Sequence, residues 1–333
     1  MEGVSVRKYI IKRILLSIVI LFFVMLIIYV LMRCLPTSYI EQMARERSQQ
    51  PGAMSYEEWM AQLEAMYGMD KGIVPGFLTW LGQALQGNFG DSWKWTMPVI
   101  QKFKQCIGVS FVMGAVSLVL QLIIAIPLGV IAATKQYSKT DYTVTVLALA
   151  GISLPTFFFA SLLKWVFCVQ LGWFDLGGLV GRNFQFLSPM GQILNMAHHL
   201  VLPIVTLVVI SVGSLMRYTR TNMLEVLNSD YIRTARAKGL SERKVVYHHA
   251  FRNTLIPLVT IVGGSLPGLF SGALITETLY SINGIGYVSY QSMTAGDIPL
   301  SMFYLSFLAV LTLAGNLISD ILYAVVDPRV RIA

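Results

Sequence analysis

The chain has 333 residues, of which 55% are hydrophobic and only 13% charged, and its formal net charge is +8. A soluble domain of this size could not hide so much apolar surface in its core. The composition therefore excludes a soluble globular protein and predicts an integral membrane protein. Its apolar residues form continuous runs instead of alternating ten-residue segments, which favours an all-α protein over a β-barrel.

Six uncharged apolar stretches predict membrane-spanning helices, because a bilayer core of about 30 Å needs roughly 20 helical residues. In chain order they are residues 14–32, 107–134, 142–163, 201–216, 254–276 and 301–319. The first is too long for a signal peptide and no small-residue cleavage site follows it, so it is interpreted as a retained anchor. Prolines inside the second, third and fourth stretches predict kinks. They are Pro127, Pro155 and Pro203.

Between the first two stretches lies a polar segment, residues 34–105, which is long enough to fold on the outer surface. Ser55 and Glu58 have the spacing of a capping box and predict the start of a helix. A second amphipathic piece surrounds Trp80. Both helices are predicted to lie at the membrane interface; a sharper alternative adds that their outer faces contact a soluble partner. The residues predicted to form an aromatic belt are Trp80, Trp93 and Trp95.

The distribution of Lys and Arg predicts the orientation of the chain. These residues are frequent before the first stretch, in residues 217–252 and after the last stretch, whereas residues 277–300 contain none. By the positive-inside rule, both termini are cytoplasmic and residues 277–300 are outside. The net charge is thus mostly a signal of topology and does not indicate nucleic-acid binding. The outer residues 277–300 are also predicted to hold a surface or re-entrant helix over residues 287–294.

Residues 217–252 form a basic segment that is patterned like two helices separated by a glycine. Ser229 is a good N-cap and Asp230 favours a helix N-terminus, so a helix is expected over residues 231–238. Gly239 suits the positive φ needed after its last turn, and Ser241 begins a second helix. Arg233, Arg236 and Lys238 would suit an acidic or polar groove of a partner, while Tyr231 and Ala235 would enter a pocket.

The fifth apolar stretch is rich in glycine and small hydroxyl residues around Pro267. Such residues usually mean close helix packing. The alternative is that a kinked helix lines a pathway, where carbonyl groups freed by the proline meet polar cargo. The candidate pathway residues are Gly264, Ser265, Pro267, Gly268 and Ser271. The three cysteines and the two adjacent histidine pairs lack metal-ligand spacing, so no metal or redox site is predicted.

Several blocks of sequence carry a family resemblance. DYIRTARAKGL followed by HAFRNTLIP resembles the coupling loop of bacterial ABC importer permeases, in particular the dipeptide and oligopeptide branch. KRILLSIVILFFVMLIIYVLMRCLP and TETLYSINGIGYVSYQSMTAGDIP resemble further blocks of that branch in the same order. The chain departs from the general importer motif, in which Glu-Ala-Ala stands at the positions of Arg233, Thr234 and Ala235. It also has SINGIG where relatives often have a proline-containing turn.

The resemblance implies a type I ABC importer permease fold with six membrane helices. Residues 1–33 would be the tail and first helix, residues 34–105 the outer segment, and residues 106–333 the permease core with the coupling loop at 217–252. The implied location is the bacterial cytoplasmic membrane, and the implied partners are a homologous permease, two cytoplasmic ATPases, an extracytoplasmic binding protein and a peptide. The residues implied to contact the ATPases are Asp230, Tyr231, Arg233, Thr234, Ala235, Arg236, Ala237, Lys238 and Gly239.

The chain has no GxxxxGK[ST] phosphate loop, so it is not expected to be the ATPase or to bind a cofactor. ATP and magnesium would be handled by the partner subunits. One alternative function is an ion-coupled secondary carrier, which would require ionisable residues at mid-membrane depth that are not evident. Others are a membrane scaffold, and an importer of a nickel chelate or another small solute.

Overall fold

The computed structural model describes residues 6–34, 39–50, 54–66 and 69–326. Helices dominate these ranges. In chain order they are α1 Val6–Arg33, α2 Tyr39–Ser48, α3 Tyr56–Met66, α4 Ile73–Leu85, α5 Val99–Thr134, α6 Lys139–Ser153, α7 Thr156–Lys164, α8 Pro189–Leu227, α9 Asp230–Ala237, α10 Glu242–Lys244, α11 Phe251–Phe270, α12 Leu274–Leu279, α13 Ile285–Thr294 and α14 Ile298–Val326. π-Helical turns extend α7 over Trp165–Gln170 and join α10 to α11 over Val245–Ala250, and a 3-10 turn spans Phe184–Phe186. Strands β1 Asp91–Ser92 and β2 Met97–Pro98 pair antiparallel.

Four of the described helices are long and apolar enough to cross a membrane. These four segments are Ile11–Arg33 of α1, Val99–Thr134, Pro189–Leu227 and Ile298–Ile318 of α14. The helices α1, α5, α8 and α14 contain four of the predicted stretches. A fifth span exists if α6 and α7 with its π-helical extension, bent by 97°, count as one. The described residues thus contain four or five candidate spans, and the count of six stays a prediction. The cytoplasmic location of both termini also stays a prediction.

The predicted kink at Pro155 is confirmed, and it divides the stretch 142–163 into two helices. Leu154, the residue before the proline, is extended with φ −76° and ψ 125°. The proline ring disfavours a helical conformation in the preceding residue, so α6 ends and α7 begins in a new direction. Pro127 and Pro203 lie inside α5 and α8 without ending either helix.

The fifth predicted stretch, residues 254–276, ends earlier than expected. Helix α11 stops at Phe270, and the chain turns at Gly272, which has φ +77°. A side chain at Gly272 would be strained by that conformation and would also approach the Cα atom of Gly286 to 2.7 Å. After this break, α12 packs against α7 and α13.

Helices α5 and α8 form the centre of the molecule. With 36 and 39 residues, they are about 54 and 58 Å long at 1.5 Å per residue, so they extend beyond a bilayer core. Small residues allow close approach between neighbouring helices. A Cβ atom on Gly129 of α5 would lie 2.8 Å from the carbonyl oxygen of Met216 in α8, and one on Gly151 of α6 would lie 2.8 Å from that of Val209.

The outer segment folds as predicted into helices that cover one end of the α1 and α14 pair. The capping box is confirmed, because the Glu58 amide donates to Ser55 Oγ at 3.3 Å and the Ser55 amide donates to Glu58 Oε2 at 2.9 Å. That second hydrogen bond lowers the pKa of Glu58. The belt prediction is wrong for Trp93, which is buried among Ile40, Ala44 and Leu63.

The helix expected over residues 287–294 is confirmed as α13. Its Ile285 and Val288 are buried against Val99 and Cys106 of α5 and Leu300 of α14. The loop between α12 and α14 is thus a packed part of the fold, and it covers the N-terminal end of α5.

Candidate functional site

The predicted coupling loop is more helical than expected. Helix α8 continues to Leu227, so residues 217–227 belong to it, and only Asn228 and Ser229 separate it from α9. Gly239 has φ +76°, which confirms the expected turn. The expected side-chain cap is wrong, because the Ser229 hydroxyl donates to the Val226 carbonyl at 2.6 Å instead of accepting from α9.

One face of α9 is packed against the chain itself. Ile232 and Ala235 are buried in a cluster that includes Met223 of α8 and Val245 and Ala250 of the π-helical turn. The expectation that Ala235 enters a partner's pocket is therefore wrong, since its side chain fills the molecule's own interior. This apolar contact attaches α9 to the C-terminal end of α8 and to the turn that precedes α11.

The opposite face of α9 is exposed and charged. All of the predicted coupling residues except Ala235 are exposed. The Arg233 side chain is 80% exposed, and its Nη1 atom lies 3.8 Å from Asp230 Oδ1, so the exposed pair stabilises the helix little. Tyr231 keeps an exposed ring while its hydroxyl accepts from Asn253 Nδ2 at 3.1 Å.

Arg236 makes an ion pair that the sequence did not indicate. Its Nη2 atom donates to Glu242 Oε1 at 2.7 Å and its Nε atom to Oε2 at 3.2 Å. These hydrogen bonds lower the pKa of Glu242 and raise that of Arg236. The pair spans Gly239 and links α9 to α10, so Arg236 has a role within the segment in addition to any contact with a partner.

A second ion pair holds the C-terminal part of α8. Arg220 Nε and Nη2 donate to Asp141 Oδ1 and Oδ2 at 2.7 and 2.8 Å, and the Tyr137 amide donates to the same carboxylate at 3.0 Å. The Asp141 side chain is only 4% exposed and that of Arg220 23%. In the sequence Arg220 was one of many basic residues. The acid Asp141 at the start of α6 was visible in the sequence, but its pairing with Arg220 was not.

A cleft lined by apolar and uncharged polar residues lies between α5, α8 and α11, with a volume of about 330 Å³. Of the candidate pathway residues, Ser265 and Gly268 line it. Gly264 is exposed, whereas Pro267 lies against Gly315 of α14, where a Cβ atom would overlap its ring. The Ser271 carbonyl accepts from the Tyr304 hydroxyl at 2.7 Å, so this residue ties α11 to α14.

Sequence reasoning missed the contribution of α5 to the cleft. Ser110, Gly114, Ser117 and Gln121 line it, and their spacings of four, three and four residues place them on one helical face. This pattern of small and polar residues inside an apolar stretch was visible in the sequence. None of the residues that line the cleft is Asp, Glu, Lys or Arg.

A buried carboxylate closes one end of the cleft. Glu277 accepts from Ser110 Oγ at 2.7 Å, from the Ala273 amide at 3.0 Å and from the Tyr287 amide at 2.8 Å. Its side chain is fully buried, and a Cβ atom on Gly284 would overlap its carboxyl group. Glu277 therefore joins α5, the α11–α12 turn and the start of α13.

We expect Glu277→Gln to lower the melting temperature of the detergent-solubilised protein by about 5 °C, for a loss of about 2 kcal/mol. The amide keeps the size of the side chain but turns an N–H group toward one of the backbone donors. Differential scanning fluorimetry measures the change. The matched control is Glu57→Gln, since Glu57 is exposed on α3. Equal melting temperatures in the two variants would contradict the structural role of Glu277.

Comparisons with known proteins agree with this architecture. The oligopeptide transport system permease protein AppB of Bacillus subtilis (strain 168) is 38% identical over 324 residues, covering 97% of this chain and 99% of the relative. The oligopeptide transport system permease protein OppB of Escherichia coli (strain K12) is 35% identical over 325 residues, covering 97% and 99%. OppB of Salmonella typhimurium is 34% identical with the same coverage.

A solved structure shows the same fold. The inward-facing methionine ABC transporter MetNI aligns with a TM-score of 0.53 at 18% identity, covering 68% of this chain and 97% of that chain. The predicted ABC importer permease fold is thus confirmed at the level of the fold. The family described as binding-protein-dependent transport system inner membrane component matches residues 125–332, well over half of the chain. With the full-length relatives above, this match establishes that the chain belongs to the binding-protein-dependent transport system inner membrane component family.

Proposed function

We propose that the chain is the permease subunit of an ATP-driven peptide importer and forms half of the pathway through the bacterial cytoplasmic membrane. The observation that carries the proposal is the course of α8. This helix lines the neutral cleft through Leu207 and Ser211, continues unbroken to Leu227 and meets the exposed helix α9 after two residues. A single continuous helix therefore connects the cleft, where cargo would pass, to α9, where a cytoplasmic partner would bind.

The named relatives, which are oligopeptide transport permeases, support the choice of peptide as cargo. A cleft without charged lining suits peptides of varied sequence, because main-chain amides are common to all of them whereas side-chain charges are not. A homologous second permease would supply the other half of the pathway. An extracytoplasmic binding protein would deliver the peptide, and two cytoplasmic ATPases would hydrolyse ATP with magnesium. The chain itself supplies no catalytic residue.

The proposed topology has six membrane helices and both termini in the cytoplasm. Residues 1–33 form the tail and anchor helix, residues 34–105 an outer layer, and residues 106–333 the permease core. The basic residues of the coupling segment 217–252 then face the cytoplasm, as the positive-inside rule requires. In this arrangement α13 and Glu277 lie at the outer end of the cleft, where they would form part of an outer gate.

The mechanism follows from these contacts. Closure of the two ATPases would displace α9 through its exposed residues, such as Tyr231, Arg233 and Lys238. Because Ile232 and Ala235 are packed between α8 and the start of α11, the displacement would tilt both helices together. The cleft between α5, α8 and α11 would then open alternately to the two sides, a rigid-body form of alternating access.

Co-purification and uptake measurements test the proposal. We expect an affinity-tagged chain to bring down a second permease and an ATPase pair, and reconstituted vesicles to take up peptide only with ATP and the binding protein. Uptake should stop when the ATPase is inactivated by mutation and should persist with a protonophore. Uptake against a gradient by this chain alone, or uptake abolished by the protonophore with ATP present, would instead indicate an ion-coupled carrier.

A further inference from the structure

The polar face of α5 contains hydroxyl groups with different hydrogen-bonding states. Ser110 is saturated: its hydroxyl donates to Glu277 at 2.7 Å and accepts from the Ile285 amide at 2.8 Å. It therefore belongs to the framework at the outer end of the cleft. Ser117, two turns further along the same face, also lines the cleft and is 7% exposed, but its Oγ atom has no hydrogen-bond partner among the described residues.

Four buried helical serines of the described residues lack a hydrogen-bond partner, and Ser117 differs from the others, Ser289, Ser301 and Ser306, in lining the cleft. Hydroxyl groups inside a helix commonly donate to the carbonyl oxygen four residues earlier. Thr206 and Thr219 of α8 do so at 2.9 Å, and Ser265 of α11 does so at 2.7 Å. Ser117 does not use this bond. A buried hydroxyl without a partner destabilises the protein. Because Ser117 lines the cleft, a molecule in the cleft could supply the missing partner.

The neighbours of Ser117 supply complementary groups. Gln121, one turn away on α5, donates its Nε2 atom to the Ser211 carbonyl at 3.0 Å, which fixes the amide and keeps Oε1 as an acceptor. Across the cleft, the Ser265 hydroxyl already donates a hydrogen bond to the Ile261 carbonyl. It can therefore act only as an acceptor in further hydrogen bonds. A change of the Ser117 χ1 rotamer would turn its hydroxyl from the protein interior toward the cleft. The wall would then offer one free donor and two acceptors, all uncharged.

We propose that this face of α5 is a binding station for the main chain of a translocating peptide, with the Ser117 hydroxyl donating to a peptide carbonyl. Gln121 and Ser265 accept from peptide amides, so the station recognises the repeating backbone and not the side chains. The volume of about 330 Å³ is at the lower end of the range of ligand sites, which is roughly 300–1,000 Å³. This inference rests on the proposed peptide permease function and adds the residues that contact the cargo.

The test measures peptide uptake by the complete complex in vesicles with ATP and the binding protein. The probes are penta-alanine and the same peptide with lysine or with glutamate at its centre. We expect Ser117→Ala to lower uptake at limiting peptide by about 3- to 10-fold, the value of one neutral hydrogen bond, and equally for all three probes. Its melting temperature should be unchanged or higher, since the substitution removes a buried unpaired hydroxyl.

Ser306→Ala is the matched control. Ser306 of α14 is 6% exposed and its Oγ atom also lacks a partner within the described part of the chain, but it does not line the cleft. Its uptake should stay within about twofold of the unsubstituted protein. Equal uptake by the Ser117 and Ser306 variants, or a loss that depends on the charge of the probe, would overturn the binding station while leaving the permease function intact. If the unsubstituted complex takes up none of the three probes, the result contradicts the proposed peptide transport function and, with it, the binding station.

Discussion

We expect Asp141→Asn to lower the melting temperature of the solubilised complex by about 5–10 °C, which corresponds to a loss of about 3 kcal/mol. The substitution keeps the shape of the side chain but leaves the guanidinium of Arg220 without its counter-charge. Two hydrogen bonds of 2.7 and 2.8 Å hold that guanidinium in a half-buried position between α6 and α8. The loss lies at the low end of values for buried pairs, because Arg220 remains 23% exposed and water screens part of its charge.

Two further variants distinguish the loss of the Asp141–Arg220 pair from the loss of a negative charge elsewhere. Asp230→Asn removes an acid that is 98% exposed and whose pair with Arg233 is weak, at 3.8 Å. The melting temperature of this variant should therefore change by less than about 1 °C. The double variant Asp141→Leu with Arg220→Met removes both charges, and it should recover most of the stability that Asp141→Asn loses. If the Asp141→Asn and Asp230→Asn variants had the same melting temperature, the Asp141–Arg220 pair would not be holding α6 to α8.

The features that the sequence predicted well are those set by neighbouring residues. The capping box of Ser55 and Glu58, the positive φ of Gly239 and the break before Pro155 each depend on a few consecutive positions. The apolar stretches were found for the same reason, since a membrane helix is a local run of apolar residues. The end of α11 was predicted less well, because the turn at Gly272 depends on the distant Gly286.

The features that the sequence did not predict arise from contacts between distant segments. Asp141 and Arg220 are 79 positions apart, and Ser110 and Glu277 are 167 apart. The sequence does not show how α6 and α8 lie side by side, so it does not indicate which basic residue pairs with Asp141. The burial of Ala235 was missed because a short amphipathic helix can turn either face inward, and the apolar residues that cover it come from three other elements.

Charge reversal on α9 is expected to have the largest effect on transport. We expect Arg233→Glu to lower ATP-dependent peptide uptake by about tenfold or more, because a charge at a docking surface that loses its partner commonly weakens binding by a few kcal/mol. The side chain is 80% exposed and has only a weak pair with Asp230 within the chain. Its melting temperature should therefore stay the same, while the basal ATPase activity of the complex continues without uptake.

Arg236 needs a different design, because its reversal alone also breaks the pair with Glu242. Arg236→Glu combined with Glu242→Arg restores an ion pair across Gly239 but still places the opposite charge at position 236. If partner contact matters, this swap should transport as poorly as Arg236→Glu; if only the internal pair matters, the swap should restore uptake. Wild-type uptake by the Arg233→Glu, Arg236→Glu double variant would show that α9 does not receive the work of the ATPases. The continuous course of α8 would then have no role in coupling, since α9 is the exposed element to which its inner end connects.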